Sequence, residues 1–306
     1  MKYFYLISFL LILLFSCFQN QTKEIIDRSG RTVNIHGQVN RIVSTAPSNT
    51  EIIADLGMAH KLIAIDRHSA NVTAQDGCPR IPAGIPLLDF FYPDAELLIR
   101  LEPDIIIANG HNPTGSGEDP FRLLREAGIA VAYIPMSKSI DDIYLDIAFI
   151  AGLLDIQEKG EELITSMKMQ INEIIQKNMQ IKNKKSVYFE ISAAPSMMTF
   201  GRDSFLNDMI YATGGRNIFE NENWLVSPGA ESIIERNPDV ILTNVNYIDN
   251  PEDEIRSRPG FSHIAAVINN RIFYIDTDSS VRPSSRIIPA LRQMSHAVYP
   301  ELYINE

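Results

Sequence analysis

The stretch AELLIRLEPDIIIAN at residues 95–109 returns as AESIIERNPDVILTN at residues 230–244, with seven of fifteen positions identical and no gap. Each copy reads the same way. A helical run opens on Ala-Glu and stops before Pro-Asp, because the residue preceding a proline is pushed out of the helical region. A short continuous apolar run follows, IIIA in one copy and VILT in the other. A strand with no polar face suits burial on both sides, as in a parallel sheet covered by helices. Helix–Pro-Asp–strand is common grammar in α/β chains. Two copies at equivalent places in the two halves predict a structural repeat, and so two α/β lobes.

The flanking sequence extends the pattern. Around the first copy, 41–45, 62–65 and 130–134 read as strands, and 49–56 and 121–127 as helices closed by Gly57 and Gly128. Around the second, 186–191 and 271–275 read as strands, and 204–211 and 285–298 as helices. Between them, Ser139 and Asp142 open a helix predicted to run through Leu154, in capping-box order. A second run at 157–182 places Leu163, Ile164, Met167, Ile171, Ile174 and Ile175 at helical spacing. The part after Gly160, 22 residues, would reach about 33 Å, enough to run along two lobes.

The first residues carry a different signal. Lys2 precedes an apolar run from Tyr3 to Phe15 broken by Ser8, then Ser16 and Cys17. This is the layout of an export signal, too short to span a bilayer. A cysteine directly after a small residue predicts cleavage after residue 16 and acylation of Cys17. Removing 16 of the 306 residues leaves 290, enough for two lobes. The expected domains are a signal peptide at 1–16, an N-terminal lobe at 17–155, a linker helix at 156–182 and a C-terminal lobe at 183–306. Beyond Cys17 the only cysteine is Cys78, so no internal disulfide is expected in the mature chain. The net charge of −11 argues against nucleic acid as a partner and against an electrostatic grip on anionic lipid. Attachment is expected through the acyl chains instead.

Five stretches together carry a family resemblance. They are RIVSTAPSNTEIIADLG at 41–57, FYPDAELLIRLEPDIII at 91–107, GRDSFLNDMIYATGGRNIF at 201–219, SPGAESIIERNPDVIL at 227–242 and DTDSSVRPSSRII at 276–288. In order and spacing the chain resembles the bacterial binding proteins that serve ABC importers of iron–siderophores, cobalamin and haem. The resemblance implies two Rossmann-like lobes with mostly parallel sheets, joined by one long backbone helix. It implies a monomer that hands a small ligand to a permease dimer at the outer face of the membrane or in the periplasm. It also implies a docking glutamate on each lobe, which falls on Glu96 and Glu231. Both sit at helix starts, where a carboxylate is favoured by the helix dipole in any case. Glu51 competes as a third helix-start glutamate and is expected to serve local capping.

Ligands of open parallel sheets bind beyond the carboxyl ends of the strands. That rule and the resemblance nominate Pro47, Ser48, Asn49, Arg67, His68, Phe90, Tyr92 and His111 in the first lobe. In the second they nominate Arg202, Tyr247, Asp278 and Arg282. Phe90 falls where the family often presents an aromatic ring. Arg67 and Arg202 have two roles open to them, a fork for ligand oxygens or a brace for loop carbonyls. Arg286, at the head of the last helix, favours the brace. The segment NGHNPTGSGEDP at 109–120 reads as a rim of the cleft and lacks phosphate-loop spacing. No metal site is expected, since His68, His111, Asp66 and Asp278 do not form a ligand set of regular spacing. No cofactor is expected either.

The leading functional reading is delivery of a ferric siderophore or similar metal chelate. Cobalamin and haem follow as alternatives of the same family. A surface adhesin or structural protein on the same fold is the alternative of another class. An enzyme would have to draw on His111, Ser116 and Glu118. The chain has no Gly-x-Ser-x-Gly elbow, and Cys78 sits in an irregular Pro-rich stretch.

Overall fold

The computed structural model describes residues 22–71, 81–112 and 119–304. The expected signal segment, Cys17, Cys78 and positions 113–118 of the expected rim lie outside the described residues. The chain divides into two compact units. The first ends at Met136 and takes in Phe149–Gln157; the second holds Ser137–Ala148 and the chain from Glu158 onward.

The first unit begins with an antiparallel hairpin, β1 (Thr22–Ile26) and β2 (Thr32–His36). A parallel sheet follows: β3 (Ile42–Ser44), β4 (Leu62–Asp66), β5 (Leu87–Leu88), β6 (Ile105–Asn109) and β7 (Val131–Ile134), in the order β5-β4-β3-β6-β7. The second unit contains β8 (Ser186–Glu190), β9 (Thr199–Phe200), β10 (Arg216–Asn217), β11 (Leu225–Val226), β12 (Val240–Thr243) and β13 (Ile272–Tyr274). Its parallel sheet runs β10-β8-β12-β13, while β9 and β11 form a small antiparallel pair.

The repeat is a structural one. β6 lies between β3 and β7, and β12 lies between β8 and β13. Each copy therefore supplies the strand beside the first parallel strand of its own sheet. Helix Ala95–Arg100 precedes one and helix Ala230–Arg236 the other. Ile105, Ile106, Ile107, Val240, Ile241 and Leu242 are wholly buried, as strands covered on both faces must be. Phe121 and Leu98 anchor the first core, and Phe219 and Phe261 the second. Each such phenylalanine contributes about 1.5–3 kcal/mol of burial.

The predicted Ser139 cap forms. The Asp142 N–H donates to Ser139 Oγ at 3.1 Å, and the Asp142 carboxylate accepts from Lys138 N–H at 2.9 Å and Ser139 Oγ at 3.3 Å. Helix Ile140–Leu153 starts there. Its first N–H, from Ile140, donates to Asp208 Oδ2 at 2.9 Å. Burial, together with the nearby charges of Asp141 and Asp142, raises the Asp208 pKa despite that bond. A carboxyl group with a raised folded pKa stabilises the fold at low pH and loses that contribution as pH rises through the folded value. Asp208→Asn keeps an acceptor for Ile140 and removes the charge. Urea unfolding is expected to show the variant matching the parent near about pH 4 and exceeding it near about pH 7. A parent that is the more stable at neutral pH would contradict this account.

Three boundaries differ from expectation. The long helix is Gln157–Asn178, 22 residues, rather than a run to residue 182. Asn178 turns its amide inward to donate to Ala212 O at 2.9 Å, and Ile181 N–H closes a turn on Asn178 O. Helix Pro47–Asp55 starts earlier than expected, with Pro47 in its first turn, a position where proline's missing N–H costs nothing. Glu51 thus falls mid-helix and is wholly buried, so it is not a capping residue. Last, the expected loop at 276–286 contains a short helix, Thr277–Val281, capped by Asp276, whose carboxylate accepts from Ser279 N–H at 2.8 Å.

Candidate functional site

In both sheets the chain reverses its direction of travel beside the first parallel strand, between β3 and β6 in one unit and between β8 and β12 in the other. Such switch points leave a crevice at the carboxyl ends of the two strands. In the first unit His68, Phe90 and His111 come together; in the second, Tyr247 meets Ala193, Arg202 meets Asn223, and Asp278 meets Arg282.

In the first unit a buried amide network joins the loops. Asn109 Nδ2 donates to Thr45 O at 2.7 Å, and Thr45 Oγ1 donates to Asn112 Oδ1 at 2.9 Å. Asn112 Nδ2 then donates to Phe90 O at 2.9 Å and Phe91 O at 3.2 Å. The β6 loop thus fixes the loop that carries the aromatics. Phe90 is the hub of a ring cluster: His68 lies 5.5 Å away edge-on, Phe91 5.0 Å away and His111 5.3 Å away. These are favourable aromatic separations. Phe91 and Tyr92 remain 51% and 61% exposed, leaving an apolar surface open to a ligand. His111 is solvent-accessible, yet the rings packed about its imidazole lower its pKa by burial. Neutral His111 therefore offers an acceptor or a metal-ligating nitrogen near neutral pH.

Arg67 and His68 lie on an exposed turn after β4. Asp66 shapes that turn. Its carboxylate accepts from His68 N–H at 2.9 Å, Ser69 N–H at 3.2 Å and the Ser69 hydroxyl. Burial nevertheless raises its pKa. Asp89 does the same for the next loop, accepting from Phe91 and Tyr92 N–H groups at 3.0 and 2.9 Å. The Tyr92 and Phe91 bonds hold its pKa below the usual value. Pro47 and Ser48 are half-buried at the head of their helix. Asn49 is 1% exposed, with Nδ2 directed to Ile107 O, so its amide is turned into the loop and away from solvent.

In the second unit Tyr247 is 66% exposed. Its hydroxyl lies 3.3 Å from Ser192 Oγ and accepts from Ala193 N–H at 2.9 Å. Arg202 is exposed and donates from Nε to Asn223 Oδ1 at 2.6 Å, beside Trp224, the single tryptophan. Gly201 before it admits no side chain, because a Cβ there would collide with the Glu222 carbonyl. Asp278 and Arg282 pair with each other at 2.9 Å, and Arg282 is 8% exposed. The pair braces the short helix Thr277–Val281 against the residue that follows it.

Sequence reading missed Arg258. It lies 8% exposed and holds buried Glu190, at the end of β8, in a two-pronged pair at 2.5 and 2.9 Å. The available signal was Glu254 four residues ahead of Arg258, just before Pro259-Gly260. Among the described residues no group of three or more His, Cys, Asp or Glu side chains is placed to hold a metal ion.

Glu96 sits in the first turn of its helix, with its side chain 89% exposed and 3.8 Å from Arg100. Glu231 is exposed in the first turn of its own helix. The helix N-cap is Asp94 in the first case and Gly229 in the second.

A family model described as periplasmic binding protein matches residues 42–279. YvrC, an ABC transporter substrate-binding lipoprotein of Bacillus subtilis (strain 168), is 29% identical over 281 residues, 91% of this chain and 86% of the relative. A vitamin B12-binding protein of Vibrio campbellii is 24% identical over 262 residues, 85% of this chain and 89% of the relative. A solved structure from Staphylococcus epidermidis, described as a possible iron-binding (periplasmic solute-binding) protein, superposes with a TM-score of 0.74 at 30% identity. It covers 86% of this chain and 99% of its own.

Proposed function

The chain belongs to the periplasmic binding protein family and is the substrate-binding protein of an ABC transporter; from that premise we propose that it is a lipid-anchored carrier of a metal chelate. A ferric siderophore is the leading cargo. The observation that carries this reading is the Phe90 ring cluster at the carboxyl end of the first sheet. Aromatic faces and two imidazoles suit a large, partly flat chelate with few exposed charges. Exposed Arg67, on the turn after β4 of the same unit, suits its acidic oxygens. A corrinoid is the second reading, favoured by the likeness to a vitamin B12-binding protein. Haem stands third.

The test is a titration with a ferric tricatecholate, cyanocobalamin and haemin, followed by quenching of Trp224 fluorescence. Saturable binding of one of them in one-to-one ratio without turnover supports the proposal. No binding of any, together with capture of a host surface protein, would favour an adhesin.

No helix among the described residues is long and apolar enough to cross a membrane, so attachment in this proposal rests on Cys17. Only residues 18–21 separate Cys17 from β1. At about 3.6 Å per residue the tether reaches at most about 18 Å. Cys17→Ala is expected to release the protein from the membrane fraction. Persistence there at parental levels would rule out the lipid anchor.

A further inference from the structure

We propose that Arg258 is a positioning residue for loop 191–198 of the second unit, and that it sets where Ser192, Ala193 and Tyr247 meet a ligand. The proposal rests on the cleft reading given above.

Loop 191–198 leaves β8 at Glu190 and returns at β9. Arg258 grips it at both ends. Its two Nη groups donate to the two Glu190 oxygens at 2.5 and 2.9 Å, and Nη1 also reaches Met197 Sδ at 3.4 Å. The remaining edge of the guanidinium bonds Glu254 in helix Pro251–Ser257, with Nε at 3.0 and 3.1 Å from its oxygens. The charge centre sits 5.4 Å from the Phe261 ring. One side chain thus ties the strand end, the far end of the loop and a neighbouring helix. The loop closes on itself through Ile191 N–H to Met198 O at 2.9 Å and Met198 N–H to Ser192 O at 3.1 Å. Among the candidate residues it is Tyr247 that holds this loop, through Ser192 and Ala193.

Only arginine fits this task. Two carboxylates approached along different edges need a rigid fork of several donors, and lysine brings a single point of charge. Burial favours the neutral form of Glu190, and the Arg258 pairing opposes it. The Tyr188 hydroxyl adds one weaker bond to Glu190 Oε2, at 3.4 Å. Removing a member of a buried pair strands the other charge, so a conservative change is the informative one.

The experiment compares the full chain with Arg258→Lys and, as a second variant that keeps side-chain shape, Glu190→Gln. Hydrogen exchange by mass spectrometry is read first, without ligand. Expected is exchange at least tenfold faster in peptides spanning 191–198, with peptides spanning β12 and β13 unchanged. Titrations with a ferric tricatecholate, cyanocobalamin and haemin come second. Whichever probe binds the parent is expected to bind both variants at least tenfold more weakly. Tyr247→Phe is expected to weaken binding in the parent and to add little in the Arg258→Lys background. Unchanged exchange in 191–198, or uniform acceleration across the unit, would overturn the clamp. Faster exchange in the loop with unaltered titrations would remove this loop from the ligand site, a failure of the cleft reading instead.

Discussion

Changing Glu96 and Glu231 together to lysine is expected to reduce transporter-driven uptake to the level of cells lacking the protein, with ligand affinity unchanged. The expectation starts from the repeat. Its two copies place a glutamate in the first turn of equivalent helices, one in each unit. Neither side chain is needed for folding. Glu96 is 89% exposed, and its contact with Arg100 at 3.8 Å joins two solvent-exposed groups, a pairing of small worth. Asp94 already caps its helix through Glu96 and Leu97 N–H groups. Glu231 makes no ion pair among the described residues. Two exposed, equivalent carboxylates suit a two-point contact with cationic residues on a symmetric permease. Like charges brought together across an interface cost several kcal/mol, so reversing both should lower association more than a hundredfold. Single reversals should fall between. Uptake at the parental rate in the double variant would remove the docking assignment, whatever the ligand proves to be.

The second large effect is expected at Phe90. Phe90→Ala should raise the dissociation constant at least tenfold, about 1.4 kcal/mol, while the melting temperature moves little. Phe90 is half-buried and lies outside the main core of its unit. Its removal takes away the ring against which His68, Phe91 and His111 pack. The backbone of the loop stays pinned by Asn112 and Asp89. The variant therefore separates ring contact from loop position. Arg202→Ala should also weaken binding, by less, because Asn223 already takes its Nε donor. An unaltered titration in Phe90→Ala would show that the ligand does not enter at this edge of the sheet.

Much of this architecture is legible in the sequence. The strands IIIA and VILT have no polar face, and nothing but double-sided burial suits them; both are fully buried. Ser139 and Asp142 declared a helix start because the chemistry of a cap is local. Errors arose where long-range contacts decide. Asn178 ends the long helix through a bond to Ala212, 34 residues away. Glu51 is buried mid-helix because the helix begins at Pro47, two residues ahead of the expected start. The site divides the same way. The candidate loops follow from strand ends, and Phe90 also from the resemblance. What escaped were the roles assigned by partners distant in sequence. Arg258, absent from the candidates, occupies both oxygens of Glu190, which lies 68 residues earlier in the chain. The pairing of Asp278 with Arg282 is likewise visible only in the structure.

The most direct test of the central claim is to purify the protein from its native medium and record the visible spectrum and mass spectrum of what accompanies it. The account predicts a coloured metal chelate or corrinoid, released on denaturation in about one equivalent and rebound by the refolded protein. A colourless preparation that also ignores ferric tricatecholate, cyanocobalamin and haemin in titration would contradict it.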